Sequence, residues 1–168
     1  MAYTYSKIAT YTVGSGGIAS IDFLNIPQTY TDLCLMISAR SAGSGIDDLR
    51  LKINGVTTNR TERYLLGNGA TASSGTGTIA QIGLIPSTSQ TASTFGNTSV
   101  YIPNYTSSNN KSLSIDDVTE NNATTAYASM WAALWSQTTA ISSLSVYGAS
   151  ANLAQYSTAH LYGIKAEL

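Results

Sequence analysis

Tyr127-Ala-Ser-Met-Trp-Ala-Ala-Leu-Trp-Ser-Gln-Thr-Thr-Ala-Ile-Ser-Ser-Leu-Ser-Val-Tyr147 holds both tryptophans and the longest nearly uncharged apolar run of the chain. In an extended conformation Tyr127, Ser129, Trp131, Ala133 and Trp135 share one face, and Ala128, Met130, Ala132 and Leu134 share the other. Apolar residues on both faces predict a strand covered on both sides, inside a sandwich. After the polar turn at 136–140, residues 141–147 are small and β-branched, as a returning paired strand should be, so the stretch reads as a central hairpin. A helix over 123–136 competes, because Tyr127, Trp131 and Trp135 also lie four apart. The flanking segments decide for strand, since a sandwich has little room for a helix.

Similar short runs recur at 8–13, 18–24, 33–39, 49–53, 61–66, 78–85, 94–102, 112–118 and 156–164, separated by loops rich in Gly, Ser, Asn and Thr. About ten such strands predict an all-β, single-domain β-sandwich, jelly-roll-like in architecture. The glycines at 14–17 suggest a loose loop joining 8–13 and 18–24 as a hairpin. Residues 33–39, apolar on both faces, read as a second central strand, whereas in 49–53 Leu49, Leu51 and Ile53 face in and Arg50 and Lys52 face out. Asn54-Gly55 is a turn signal, and the low-complexity segment 67–77 reads as an exposed loop. Residues 1–7 are polar and aromatic without period, an N-terminal arm expected to order on docking; 8–168 form the sandwich.

Composition narrows the function classes. Charged residues make up 10% of the 168, so solubility rests on hydroxyls and amides, and such a surface suits packing against another protein or a sugar. A net charge of −1, with eight Lys and Arg scattered from Lys7 to Lys165, lacks the basic patch that nucleic acid requires. No run reaches the length of a membrane span, and the N-terminus lacks the apolar region of a signal peptide, which predicts synthesis in the cytoplasm. The lone Cys34 lies in an apolar run and reads as a buried thiol.

Candidate chemistry is sparse. Asp116, Asp117 and Glu120, followed by Asn121 and Asn122, offer oxygen ligands, but without calcium-loop spacing they read as a strand end, and Asp47-Asp48 reads no better. His160 is the only histidine and no nucleophile motif accompanies it; nine scattered acids single out no catalytic pair. The glycines of 67–77 lack the ending of a phosphate cradle, and the sequons at Asn59, Asn97, Asn104 and Asn122 matter only in a secreted eukaryotic protein. The reading is a non-enzyme without cofactor. Tyrosine is the most informative residue: eleven are present against two phenylalanines. Rigid amphipathic rings beside small polar groups suit contact surfaces, and Tyr3, Tyr5, Tyr101, Tyr105, Tyr147 and Tyr156 are the candidate partner contacts.

The phrases Ile8-Ala-Thr-Tyr-Thr-Val-Gly-Ser-Gly-Gly, Ile26-Pro-Gln-Thr-Tyr-Thr-Asp-Leu, Tyr64-Leu-Leu-Gly-Asn-Gly, Tyr101-Ile-Pro-Asn-Tyr-Thr-Ser and Tyr156-Ser-Thr-Ala-His-Leu-Tyr-Gly-Ile together span nearly the whole chain. In combination the chain resembles a group of small virion proteins and fibre modules of tailed bacteriophages, especially those of aquatic bacteria. The resemblance implies a structural protein of the virion with no active site. The short chain from Met1 to Leu168 suits a capsid decoration (cement) protein better than a long fibre. Its expected partners are the major capsid protein or other virion proteins. Its expected assembly, implied by that role alone, is a homotrimer. The alternative is a tail-fibre or tail-tip receptor-binding module for a host-surface glycan.

Overall fold

A computed structural model describes residues 3–122 and 126–166. Their regular structure consists of strands: β1 (Tyr3–Thr12), β2 (Ile21–Phe23), β3 (Asp32–Ala39), β4 (Ile46–Ile53), β5 (Arg60–Gly67), β6 (Ala72–Gly77), β7 (Gln81–Pro86), β8 (Gly96–Ile102), β9 (Lys111–Thr119), β10 (Tyr127–Trp135), β11 (Leu144–Gly148) and β12 (Thr158–Ala166). Twelve strands thus stand where about ten were expected, in two antiparallel sheets. The larger runs β1-β12-β3-β8-β9-β10-β5-β6 and the smaller β2-β11-β4-β7. One apolar core joins them, with Leu35, Ile37 and Leu161 of the large sheet packed in the same cluster as Leu49, Leu51 and Val146 of the small one.

The strand order divides the molecule into a frame and an addition. Within β1-β12-β3-β8 and β2-β11-β4-β7, sequence neighbours β1/β2, β3/β4, β7/β8 and β11/β12 fall in opposite sheets, so the chain passes back and forth across the sandwich. The pairs β5–β6 and β9–β10 are inserted between frame strands and extend the large sheet as a four-stranded apron, β9-β10-β5-β6.

This topology corrects the expected hairpins. β10 pairs with β9 and β5, whereas β11 pairs with β2 and β4 in the other sheet, so 127–147 is a crossover. The connection is pinned midway: Ile141 is buried and its N–H donates to the Tyr105 carbonyl at 2.9 Å, while Asn54 Nδ2 donates to the Ala140 carbonyl at 2.9 Å. Likewise β1 pairs with β12 and β2 with β11, so the glycine loop hands the chain from one sheet to the other. Gly17, at φ +72°, lies so close to the Leu153 carbonyl that a Cβ would meet it at 2.7 Å.

Two segments expected to be irregular are strands. Tyr3 to Lys7 belong to β1 and pair with Ala166 to Tyr162, so the sheet begins inside the segment expected to be an arm; a bulge follows between Lys7 and Ala9. Residues 1 and 2 lie outside the described residues. Ala72–Gly77 of the expected loop 67–77 is the edge strand β6. Backbone pairing needs no apolar side chain, and Gly75 leaves room for the Tyr64 ring, whose hydroxyl oxygen lies 2.5 Å from where a Cβ would stand. Of the 123–136 segment, where a helix competes, Tyr127–Trp135 is strand, and residues 123–125 lie outside the described residues.

Buried polar groups weld apron to frame. The Asp117 carboxylate of β9 accepts hydrogen bonds from the Thr98 hydroxyl (2.7 Å), the Leu84 N–H on the free edge of β7 (3.0 Å) and the Ser129 hydroxyl (3.2 Å). Thr119 Oγ1 donates to the Leu84 carbonyl on the same edge. Arg60 reaches the Gln81 carbonyl at 3.0 Å and lies 2.9 Å from Glu62, both buried; burial lowers the Arg60 pKa and Glu62 opposes the shift.

For Asp117, desolvation outweighs the three donors and lifts its pKa from 3.8 to about 6. Between those values the native state holds a proton that the unfolded chain has released. The contribution is therefore present below about pH 4 and lost as pH rises through about 6, an effect of about 3 kcal/mol. Asp117→Asn keeps the site uncharged and should remove this component. Urea unfolding of both proteins at pH 4.5 and 7.5 measures it, and equal pH slopes would discard the assignment.

Candidate functional site

The apron strands bury one face only. β9 alternates buried and exposed residues along its whole length, and β10 does so from Ala128 onward. Ser129, Trp131, Ala133 and Trp135 point into the core, while Ala128, Met130, Ala132 and Leu134 are exposed. The expectation that both faces of β10 would be covered is thus corrected: the small sheet reaches one side of the apron, and its other side is open. β3, in contrast, is central, and Met36 is its one exposed residue.

Residues directly opposite one another in antiparallel strands share a face, and two rows cross the whole outer surface of the large sheet. One runs Thr10, His160, Met36, Ser99, Asp116, Met130, Leu65, Ser74; the other runs Lys7, Tyr162, Cys34, Tyr101, Ser114, Ala132, Arg63, Thr76. Of the twelve large hydrophobic residues exposed among the described residues, seven lie on this face: Tyr5, Met36, Leu65, Tyr101, Val118, Met130 and Leu134. That concentration, rather than any single residue, marks the face as a site. Its apron end has two open grooves, of about 550 Å³ beside Arg63, Leu65, Met130 and Ala132, and about 460 Å³ beside Leu65, Ala128, Met130 and Val118.

The candidate tyrosines separate into groups. Tyr5 and Tyr101 belong to the outer face at its frame end: Tyr5 stands edge-on to Tyr162 with centroids 6.3 Å apart, and the Tyr101 hydroxyl donates to Asp32 at 2.9 Å. Tyr3 opens β1 at the same end. Tyr147 lies on the small sheet with Lys52 Nζ 5.0 Å from its ring centroid, and Tyr156, 67% exposed at φ +70°, lies in the loop before β12. Tyr105 is corrected: it is fully buried, its hydroxyl donates to the Pro27 carbonyl, and burial raises its pKa, so its ring supports the core.

The other polar candidates disperse. Asp116 and Asp117 point to opposite faces of β9, and Asp47 is buried, accepting from the Ser41 hydroxyl at 2.7 Å. Among the described residues no three acidic, histidine or cysteine side chains converge as a metal site. His160 Nδ1 lies 3.0 Å from Thr10 Oγ1, and Cys34 is buried with its thiol pKa raised by desolvation.

No protein-family model, curated protein or solved structure matches the chain.

Proposed function

We propose that the chain is a structural protein of a tailed-bacteriophage virion, a capsid decoration or cement protein that binds the outer shell and bridges its subunits. The observation that carries this reading is the open outer face of the eight-stranded sheet. Eight strands at about 4.8 Å and a ladder roughly seven residues deep present about 850 Å², the size of one side of a standard protein interface. Of the residues in its two central rows, Lys7, Arg63 and Asp116 carry formal charge, so little desolvation opposes docking. The frame end supplies Tyr5, Tyr101 and Tyr162, rings that bury area at small entropy cost. Each copy seated across neighbouring subunits adds binding free energy that must be lost before the shell separates. The resemblance to small phage virion proteins supports the same role.

Image reconstruction and quantitative mass spectrometry of the phage particle test it. Copies in stoichiometry with the shell, reduced by Tyr5→Ala with Tyr101→Ala, are the expected result; tail-limited copies overturn it. That outcome would favour the alternative, a tail-fibre or tail-tip module for a host-surface glycan. The Lys52–Tyr147 pair and exposed Tyr156, which lie off the proposed docking face, would then be the residues to vary.

A further inference from the structure

We propose that the outer face of the apron is a self-association surface, on which two copies of this chain pack about a two-fold axis with Asp116 of each opposite Arg63 of the other. Both residues are exposed on this face, and the ion pairs among the described residues, Arg50–Asp48 and Arg60–Glu62, include neither. Asp116 stands level with Met130 on one side of β10, and Arg63 level with Ala132 on the other. On a regular ladder that diagonal is about 12 Å, too long for the two charges to satisfy one another within a copy.

Opposite charges placed diagonally about an apolar centre are self-complementary, which is what an isologous contact requires. A two-fold axis in the plane of the interface, perpendicular to the diagonal and crossing β10 level with Trp131, sets both Asp116–Arg63 pairs in register at once. The same rotation carries Met130 into the groove bordered by Arg63, Leu65 and Ala132 of the second copy, and Leu65 into the groove beside Ala128. The strands of the two copies then cross at roughly 70°, nearer the orthogonal than the aligned class of sheet packing. A foreign partner would have to supply both the opposed charges and the two apolar knobs; a second copy already has them.

Four strands bury about 450 Å² per copy, which is at the low end for a specific interface, so the pairing is reversible and concentration-dependent. It covers the apron half of the face proposed to dock on the shell and leaves the tyrosine end free, so a paired copy and a copy seated over the whole face are alternative states, and the pairing itself does not depend on the shell-binding role. It is also a two-fold contact, distinct from the three-fold grouping expected from that role.

Sedimentation equilibrium of the purified protein over a concentration series provides the test. The mass should rise toward twice the 17.6 kDa of the chain. Arg63→Asp and Asp116→Arg should each raise the dissociation constant at least about tenfold, because like charges then face one another. The double variant R63D/D116R should restore pairing, and Met130→Asp should abolish it; circular dichroism on each variant confirms folding. Mass independent of concentration, a trimer indifferent to the reversals, or a folded double variant that stays monomeric overturns the proposal. Failure of the shell-binding reading would appear in particle composition and leave these masses unchanged.

Discussion

Lys111→Met should lower stability by about 3–5 kcal/mol, roughly 10 °C in Tm for a domain of this size. Lys111 opens β9 and is 1% exposed, yet among the described residues no carboxylate is paired with it. Five backbone carbonyls surround the ammonium instead: Ser107 at 2.6 Å, Asn109 and Thr139 at 2.8 Å, Thr138 at 3.2 Å and Gln137 at 3.5 Å. The Trp135 ring lies 5.9 Å away. Desolvation pulls the lysine pKa down, but the oxygens hold the charged form in place. The carbonyls belong to the segment leading from β8 into β9 and to the one leading from β10 toward β11, so one side chain ties the apron's entry to its exit. Methionine fills most of the space but leaves those oxygens unsatisfied, and each buried acceptor so stranded costs about 1–3 kcal/mol. Hydrogen exchange should show the largest loss of protection in β9 and β10. A loss below about 1 kcal/mol would mean that the loops close without the ammonium.

Lys111 also shows where the sequence is legible and where it is not. Alternation in 49–53 and 112–118 identifies strands and their buried faces because that pattern is local. Nothing local shows that five carbonyls from two loops converge on one lysine, because their convergence is a property of topology. The same limit explains the hairpins that became crossovers. A strand followed by a turn and a strand has one signature whether the second strand pairs with the first or crosses to the other sheet. Apolar residues on both faces of β10 were visible in the sequence. Hydrophobicity alone does not mean burial, because much of any protein's surface is apolar. Met130 and Leu134 mark an open face, and the signal that could have found it was the small, polar character of the inserted strands around them: Ser112 and Ser114 on β9, Ser74 and Thr76 on β6. The tyrosine bias identified a class of residue and not its setting, so Tyr5 and Tyr105 looked alike before one proved exposed and the other buried.

Trp131→Ala should cost about 3–5 kcal/mol, within the range for removing a buried aromatic residue. Trp131 is 5% exposed, and its ring lies 4.6 Å, centroid to centroid, from Tyr64, its register partner on β5. Tyr64 in turn covers Gly75 of β6, so the loss should spread to the apron edge. The indole N–H donates to the Ser129 hydroxyl at 2.8 Å, and that hydroxyl donates to Asp117 at 3.2 Å. Removing the ring therefore also loosens a donor to the buried carboxylate. Trp131→Phe separates the two effects: it keeps a ring against Tyr64 while deleting the N–H, and should cost about 1–2 kcal/mol. With one fewer ordered donor, the Asp117 pKa should move further up in the phenylalanine variant, carrying the pH dependence of stability toward neutrality. If Trp131→Ala left stability intact and abolished only self-association, the tryptophan would have to be reassigned from the core to the interface. Trp131 borders the larger groove, but its burial and its ring contact with Tyr64 argue for the core.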